Sequence, residues 1–309
     1  MTTIIFPGQG SQIIGMSKDF YDNFDIAKKT FDYIQDLTKI NIKDIIFKNS
    51  ENLLDITQFT QLSIFCASIS IFNVLKEEFD LDKLKINCML GHSLGEYSAL
   101  NASGYLSLED CSNLLKIRGE LMQNAYKSNE SGMVAIIGLD CKLVEKIINE
   151  NSLEIEIAND NSPMQVVISG KIKDLENAEI IFKKVNVKRY VFLNVSAAFH
   201  SKLMTDAEKK MKDHISNTNF LNSNIAIISN YTGNISNDKK IILNNLSLQM
   251  SNRVRWVESV KTLESIKEDK VIEIGPGKIL SGLIKRISNK FNFINLEKIT
   301  DMEKIKNAF

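Results

Sequence analysis

Apolar residues along this chain fall into two alternating patterns, short uninterrupted runs and longer stretches with helical spacing. The short runs at residues 3–6 and 86–90 predict buried strands, because a strand covered on both faces needs no polar alternation. Apolar positions recur every three or four residues over 26–34, 61–79 and 108–125, and this period predicts helices. Strands and helices that alternate in this way are typical of an α/β domain with a mostly parallel sheet.

The pattern changes in the middle of the chain, where a smaller unit is predicted. Six predicted elements follow each other as strand, helix, strand, strand, helix and strand, at 133–138, 142–151, 153–157, 165–169, 175–185 and 189–195. This β-α-β-β-α-β order is the ferredoxin-like pattern. We therefore predict a small subdomain at 128–195, inserted into a large α/β-hydrolase-like catalytic subdomain formed by 1–127 and 196–309. Two further strands are predicted at 224–229 and Lys270–Ile274.

The charge balance excludes two classes of partner. The chain has 309 residues, of which 38 are Lys or Arg and 38 are Asp or Glu. Binding to nucleic acid, or to an anionic membrane surface, depends on an excess of basic residues. We therefore expect neither a nucleic acid nor a membrane as a partner.

The cysteines and the N-terminus indicate the compartment. The four cysteines are scattered without metal-ligand spacing, which predicts no metal site and fits a reducing cytosol. The N-terminal sequence MTTIIFPGQG reaches proline and glycine too soon for a signal peptide. We also expect no stretch that approaches the ~20 apolar residues of a membrane span. These observations predict a cytoplasmic protein.

The strongest local motif is Gly91-His92-Ser93-Leu94-Gly95, a G-x-S-x-G sequence between the apolar run 86–90 and a helix predicted over 94–102. A nucleophile elbow requires this strand-turn-helix context, since glycines on both sides relieve crowding at the tight turn. Ser93 is therefore the candidate nucleophile. The alternative is a glycine-flanked turn in which Ser93 only caps the helix.

A serine hydroxyl needs a base to accept its proton, and the chain has three histidines. His92 adjoins the nucleophile, so its side chain should point away from the serine at the turn. His214 lies in an amphipathic stretch rich in Lys and Asp, where an exposed histidine is expected. His200 follows a predicted strand in a turn of small residues, and it is the candidate base by elimination.

No acid is found where a hydrolase would carry one to orient His200. α/β-Hydrolases place this acid between serine and histidine in chain order. Asp140 and Asp160 lie in that interval, but both belong to the inserted unit rather than to a strand end of the main sheet. The gap argues against an esterase and indicates that another group orients the imidazole.

At this point the chain resembles the malonyl-CoA:acyl carrier protein transacylases of fatty acid synthesis, nearly from end to end. Seven motifs in the same order carry the resemblance, and together they are far more specific than any one of them. They are Phe6-Pro7-Gly8-Gln9-Gly10-Ser11-Gln12, Gly91 to Glu96, Arg118-Gly119 followed by Met122-Gln123, Asn159-Asp160-Asn161-Ser162-Pro163, Ser196 to His200, Gln249 ahead of Val254-Arg255-Trp256, and Gly275-Pro276-Gly277.

The resemblance implies a serine enzyme that carries a malonyl group as an ester. Ser93 would attack the thioester of malonyl-CoA, and His200 would take the serine proton and return it to the leaving thiol. The backbone carbonyl of Gln249 would orient the histidine in place of an acid. The N–H groups of Gln9 and Leu94 would hold the oxyanion, each donor contributing on the order of 3 kcal/mol in the transition state.

The resemblance also implies how the malonyl group is selected. Arg118 would clamp its free carboxylate with two parallel hydrogen bonds, so that malonyl is preferred over acetyl. From the residues alone, a surface arginine paired with Glu120 or with solvent is the favoured interpretation of Arg118. Phe199 would fill the space that the α-methyl group of methylmalonyl needs, and is otherwise a core aromatic residue.

Three further residues are assigned to substrate binding by the resemblance. Asn159 and Asn161, expected on a loop of the inserted unit, would line the cleft between the two subdomains. Gln61 would lie near the acyl pocket, although Leu62 follows it where the family usually has proline. That departure concerns only the local turn.

The implied partners are malonyl-CoA and the phosphopantetheine thiol of an acyl carrier protein, which are both substrates. No metal or organic cofactor is implied, and we expect a monomer. Three alternatives stay open. One is a trans-acting acyltransferase of a polyketide synthase with the same catalytic residues, the second is a serine thioesterase or esterase, and the third is a non-enzymatic subunit that binds a carrier protein.

Overall fold

Ten strands form two separate sheets in the computed structural model, which describes residues 1–126, 130–185 and 187–307. The strands are β1 Thr2–Phe6, β2 Ile86–Gly91, β3 Ser131–Ile137, β4 Ile155–Ser162, β5 Gln165–Lys171, β6 Arg189–Phe192, β7 Ala226–Ile228, β8 Ile235–Ser236, β9 Lys270–Ile274 and β10 Asn292–Leu296. The α-helices of the described residues are α1 Lys18–Asn23, α2 Asp25–Thr38, α3 Ile42–Phe47, α4 Thr57–Glu78, α5 Gly95–Ala102, α6 Leu108–Gln123, α7 Cys141–Glu150, α8 Ile172–Lys184, α9 Thr205–Ser216, α10 Lys239–Ser247, α11 Trp256–Ser265, α12 Ile279–Ile287 and α13 Met302–Lys306.

The large sheet has the strand order β10-β9-β1-β2-β7-β8, and each pair is parallel except β7 with β8. Its central strand β1 is covered on both faces, which explains the continuous apolar run Ile4, Ile5 and Phe6. β1 and β2 pair in register up to Phe6 opposite Gly91, so the loops that follow them leave the same edge of the sheet. The predicted mostly parallel α/β sheet is confirmed.

The small sheet is antiparallel, with the strand order β4-β5-β3-β6. Helices α7 and α8 cover one face, where a separate apolar cluster includes Val134, Ile168 and Phe182. The chain order β3-α7-β4-β5-α8-β6 is the predicted β-α-β-β-α-β pattern. The first predicted boundary, at residues 127 and 128, lies outside the described residues, and the division into subdomains stays a prediction.

A short backbone connection joins the two parts. Asn159 of β4 forms an isolated parallel bridge with Val254. The N–H of Asp160 donates to the Val254 carbonyl over 3.0 Å, and the N–H of Val254 donates to the carbonyl of Ala158 over 2.8 Å. The end of β4 is thereby held against the large part of the molecule.

The structure corrects one strand of the sequence analysis. A strand was predicted at 153–157 with Asn159 and Asn161 on the loop after it, but β4 continues to Ser162 and contains both asparagines. The pairing with β5 is irregular between Ile157 and Asn159 and again between Asp160 and Ser162. These irregularities break the alternation of apolar and polar positions, so the sequence pattern hides the second half of the strand. Strands β8 and β10 were also missed.

The expectation that no stretch approaches the apolar length of a membrane span was wrong for one helix. Helix α4, 22 residues long, is long and apolar enough to cross a membrane by length and composition, with a mean hydropathy of 1.4 over 18 residues. It packs against α2, α5 and α6, and 83% of that window is buried inside the protein. Its position as a core helix accounts for its composition.

Candidate active site

Ser93 lies on the tight turn between β2 and α5 with a backbone φ of +53°, in the left-handed region. The glycines on either side allow this turn because other backbone atoms pass very close to them. A Cβ at Gly91 would lie 2.0 Å from the backbone of Gly95, and a Cβ at Gly95 would lie 2.2 Å from the carbonyl oxygen of Phe6. The strand-turn-helix context expected for the G-x-S-x-G motif is therefore present.

His200 is brought to the serine from more than a hundred residues away in sequence. Its Nε2 lies 2.9 Å from the Ser93 Oγ. On the other side of the ring, Nδ1 lies 3.0 Å from the carbonyl oxygen of Gln249 and 3.1 Å from that of Asn252. Carbonyl oxygens only accept hydrogen bonds, so the proton of the neutral ring is on Nδ1. Nε2 is consequently free to accept the serine proton.

The two aspartates between serine and histidine do not reach the imidazole. Asp140 caps helix α7 by accepting from the Leu143 N–H over 2.8 Å. Asp160 donates its backbone N–H to the Val254 carbonyl. Among the described residues it makes no hydrogen bond to His200. Two backbone carbonyls thus stand where a hydrolase has a carboxylate.

The surroundings of His200 keep its imidazole neutral. Burial is the larger cause and the Arg118 cation the second, and together they lower the pKa of His200 to about 3, although the two carbonyls oppose the shift. An imidazole with such a pKa is deprotonated throughout the neutral and mildly acidic range. The base is therefore ready to act before any substrate binds.

We expect the acylation of Ser93 to persist at acidic pH. A group whose pKa is lowered keeps its neutral form down to that lower pKa, so kcat/KM for acylation, which reports the free enzyme, should change little between pH 8 and 5.5. A histidine with the ordinary pKa of about 6.5 would lose about tenfold over this range. Single-turnover acylation rates across the range decide the matter. Because burial raises the pKa of the nearby Glu96 to about 7, a midpoint near pH 6.5 that persists in a Glu96→Gln protein would contradict the burial argument.

Arg118, on α6, is buried with its guanidinium beside the nucleophile, and only 1% of the residue is exposed. Its Nη2 donates to the Ser93 Oγ over 3.1 Å and to the Gln249 Oε1 over 3.0 Å, and its Nη1 donates to the Gln61 Oε1. The guanidinium also lies over the Tyr97 ring, 5.5 Å from its centroid. No carboxylate among the described residues is within ion-pair distance of it.

This environment excludes the surface alternative for Arg118. Burial lowers the pKa of the guanidinium, but arginine stays charged in proteins. A buried cation without an anionic partner is costly. The site is therefore prepared for an anionic group close to the nucleophile.

Asn230 stabilises the nucleophile turn and was not found by sequence reasoning. Its Oδ1 accepts from the Ser93 N–H over 2.6 Å, and its Nδ2 donates to the Gly91 carbonyl over 2.7 Å. The residue follows β7, at the carboxyl end of a parallel strand, where functional side chains of such sheets gather. That position was a usable signal. No sequence signal marked Asn252, the second acceptor for His200, because any residue can supply a backbone carbonyl.

The N–H groups of Gln9 and Leu94 are available as donors. Neither has an acceptor within hydrogen-bond distance among the described residues, whereas the Ser93 N–H is already bonded to the carboxamide described above. The loop that carries Gln9 lies against the nucleophile turn, because a Cβ at Gly8 would come within 2.3 Å of the His92 carbonyl oxygen. Both N–H groups are therefore without a hydrogen-bond acceptor among the described residues, and their role as oxyanion donors stays a prediction.

The other predicted residues lie around this centre. Asn161 is 2.8 Å from the His92 Nε2 through its Oδ1, and the His92 ring packs on Trp256 with centroids 5.5 Å apart. Asn159 takes part in the backbone bridge described above, and Phe199 is buried next to the catalytic candidate His200. The asparagines thus support the turn and the joint between the sheets.

A cleft of about 900 Å³ reaches His200 from the side of the small sheet. Its lining includes Tyr231, Asn252, Arg253 and Arg255. Among the described residues, no group of three His, Cys, Asp or Glu side chains is placed to hold a metal ion. The cleft is large enough for an extended substrate arm to approach the base.

Comparison with known proteins shows similarity along nearly the whole chain. The acyl transferase domain family matches residues 3–302. The malonyl CoA-acyl carrier protein transacylase of Bacillus subtilis is 35% identical over 308 residues, which cover 98% of this chain and 95% of the relative. The crystal structure of an acyl-carrier-protein S-malonyltransferase from Bartonella henselae superposes with a TM-score of 0.95 at 36% identity, covering 99% of this chain and 98% of that one.

A third similar protein was solved together with a partner. It is a malonyl transacylase in complex with the acyl carrier protein of a type II polyketide synthase. Its TM-score is 0.93 at 31% identity, and the alignment covers 99% of both chains.

Proposed function

Since the chain belongs to the acyl transferase family that includes the malonyl CoA-acyl carrier protein transacylases, we propose that it transfers a malonyl group from malonyl-CoA to the phosphopantetheine thiol of an acyl carrier protein. The observation that carries the proposal is the convergence of two groups, a base and a buried cation, on one nucleophilic atom. The Ser93 Oγ lies 2.9 Å from the base His200 and 3.1 Å from the buried guanidinium of Arg118. A nucleophile, a base and an anion-binding group in one place match an acyl substrate with a free carboxylate.

In the first half-reaction Ser93 becomes acylated. His200 Nε2 takes the hydroxyl proton as the Oγ attacks the thioester carbonyl, and the N–H groups of Gln9 and Leu94 hold the oxyanion. The tetrahedral intermediate collapses by breaking the carbon–sulfur bond. The departing CoA thiolate takes the proton from the His200 imidazolium, which leaves a malonyl ester on Ser93 and a neutral base.

In the second half-reaction the carrier protein supplies the attacking thiol. His200 accepts the thiol proton, the sulfur attacks the ester carbonyl, and the same two N–H groups hold the oxyanion. Collapse breaks the bond between the carbonyl carbon and the Ser93 Oγ, and the imidazolium returns its proton to the serine. The enzyme is regenerated and the malonyl thioester is released on the carrier protein.

Arg118 gives the reaction its preference for malonyl. The malonyl carboxylate would replace the Ser93 hydroxyl as the acceptor for the guanidinium, in a site where Gln61 and Gln249 already fix the plane of that group. An acetyl substrate would leave the buried cation without a partner. Phe199, beside the base, is proposed to limit substitution at the α-carbon.

The carbonyl acceptors on His200 suit thioester chemistry. They stabilise an imidazolium less than a carboxylate would, but a thiolate is a far better leaving group than an amine or an alkoxide. The first half-reaction, which releases a thiolate, therefore makes a modest demand on the imidazolium as an acid, whereas the second half-reaction still needs its proton to release Ser93. An ester substrate would release an alkoxide in both half-reactions, so the carbonyl acceptors disfavour the serine esterase alternative.

A polyketide pathway is the second candidate, favoured by the similarity to the transacylase solved with a polyketide carrier protein. The chemistry at Ser93 would be identical, and only the carrier protein would differ. Assay with fatty acid and polyketide carrier proteins separates the two. We further propose that the chain acts in the cytosol as a monomer without a metal or bound organic cofactor, in keeping with its four free cysteines.

Intact-mass spectrometry tests the proposed function. Wild-type protein mixed with malonyl-CoA should gain the mass of one malonyl group, and addition of a phosphopantetheinylated carrier protein should remove it. The Ser93→Ala variant is the matched control and should gain nothing. Absence of an adduct on folded wild-type protein would overturn the proposal, and loss of the adduct as free malonate without a carrier thiol would favour a thioesterase.

A further inference from the structure

A fully buried glutamate lies directly behind the nucleophile and has no role in the reaction steps above. Glu96, in the first turn of α5, has 0% of its surface exposed. Its Oε2 accepts from the Gln249 Nε2 over 2.6 Å and from the Asn230 N–H over 3.1 Å. Its Oε1 makes no hydrogen bond of ordinary geometry among the described residues, although the nearby Ser229 hydroxyl lowers the pKa of the carboxyl. Burial raises the pKa of Glu96 to about 7.

The Gln249 side chain connects this glutamate to the guanidinium. The Gln249 Nε2, besides donating to Glu96, donates to the Ser93 carbonyl over 3.0 Å, and its Oε1 accepts from the Arg118 Nη2 over 3.0 Å. Both ends of the carboxamide are therefore used. The backbone carbonyl of the same residue accepts from the His200 Nδ1 over 3.0 Å.

Glu96 is one of three partners that decide which end of the carboxamide faces Arg118. The others are the Ser93 carbonyl, which also accepts from the NH₂ group, and the guanidinium, which can only donate. A carboxamide can turn over and exchange its oxygen for its NH₂ group at little cost unless its partners distinguish them. The Glu96 Oε2 accepts hydrogen bonds, so it selects the NH₂ end of Gln249 and directs the oxygen to the guanidinium. In the reversed orientation two donors would face each other at Arg118.

Glu96 also acts on the charge of the site. Its proximity to Arg118 is among the interactions that favour the charged form of the guanidinium. The contact is indirect, because the Gln249 carboxamide lies between the two groups. Arg118 therefore has no carboxylate as a direct hydrogen-bond partner among the described residues, and the donor that now faces the Ser93 hydroxyl can turn to an incoming carboxylate while a buried acid lies behind it.

We infer that Glu96 is a positioning residue for malonyl transfer: it holds the Gln249 carboxamide in one orientation and thereby sets both the Arg118 guanidinium and the backbone carbonyl that orients His200. The inference rests on the proposed function. It concerns a residue that touches neither substrate nor reacting atoms, and its effect reaches the site through Gln249.

The test first compares two variants of Glu96 by their ratio of malonyl to acetyl acylation of Ser93. Glu96→Leu removes the acceptor, so the ratio of kcat/KM values for malonyl-CoA and acetyl-CoA should fall about tenfold. Glu96→Gln keeps an oxygen for Gln249 and places its own NH₂ group at the unpaired position, so it should restore the ratio to within about threefold of the wild type.

The matched control is a second buried glutamate outside the site. Glu273 of β9 is also fully buried and accepts from the N–H groups of Leu280 and Ser281 over 3.0 and 2.8 Å. Glu273→Leu should lower the melting temperature as Glu96→Leu does but leave the malonyl-to-acetyl ratio unchanged. The malonyl-to-acetyl ratio therefore reports the positioning of Arg118. A general loss of folded protein would lower the acylation rates with both substrates equally and leave the ratio unchanged.

A double-variant cycle completes the test. Gln249→Leu should lower the ratio, and Glu96→Leu added to it should lower the ratio little further, because both substitutions break the same connection. Full additivity, or a Glu96→Leu protein with the wild-type ratio, would overturn the inference. Failure of wild-type Ser93 to become malonylated in the same assay would instead overturn the proposed function.

Discussion

Replacing His200 with alanine should slow the acylation of Ser93 on the order of 10⁴-fold or more, with little change in affinity for malonyl-CoA. Among the described residues, the Ser93 Oγ has two side-chain hydrogen-bond partners, His200 and the Arg118 guanidinium, and the guanidinium can only donate. No neighbour can therefore take over the role of base. Rapid-quench mass spectrometry of the malonyl adduct measures the rate directly.

His214→Ala is the matched control for this variant. His214 is exposed on α9 and has no part in the proposed reaction steps. Its loss should therefore leave the acylation rate unchanged. A His200→Ala protein that folds normally and acylates within about tenfold of the wild-type rate would show that another group removes the serine proton.

Replacing Arg118 with methionine should reduce malonyl acylation on the order of 10³-fold and acetyl acylation by less than about tenfold. The malonyl carboxylate would enter a buried site without a partner, and an unpaired buried charge costs about 3–5 kcal/mol. An acetyl group carries no charge and would lose only the packing of the guanidinium. The measurement is kcat/KM for acylation with each thioester.

Arg286→Met is the control for loss of a positive charge. Arg286 is exposed on α12 and donates to the Gln165 side chain, so its removal should leave the ratio of malonyl to acetyl acylation unchanged. An equal decrease for both substrates in the Arg118 variant would show that the arginine supports the site as a whole and does not recognise the carboxylate.

The parts of the site that the sequence predicts are those whose chemistry depends on side-chain type. Three such side chains can be recognised in the sequence by their residue type. They are a serine between glycines, a histidine and an arginine. Asn252 contributes to the base through a backbone carbonyl, which any amino acid possesses, so no sequence pattern marks it. Glu96 lies within a recognised motif, but its function depends on which atom of Gln249 it contacts.

The fold was predictable where local pattern and tertiary environment agree. The apolar runs of β1 and β2 are buried on both faces, and helix α6 shows its period clearly. The second half of β4 could not be predicted, because its polar residues pair with β5 irregularly and with Val254 from a distant part of the chain. The apolar composition of α4 reflects contacts that only the tertiary structure shows.

The backbone connection between β4 and Val254 limits how acyl specificity could be transplanted between such enzymes. Exchange of the whole antiparallel unit would carry only one side of that hydrogen-bonded pair into a foreign scaffold. The other side lies two residues from Asn252, which binds the imidazole, so a poorly matched graft would disturb the base as well as the cleft. Chimeras should therefore preserve the backbone on both sides of the bridge, at the end of β4 and around Val254, and substitutions within the cleft are the safer route to a new acyl preference.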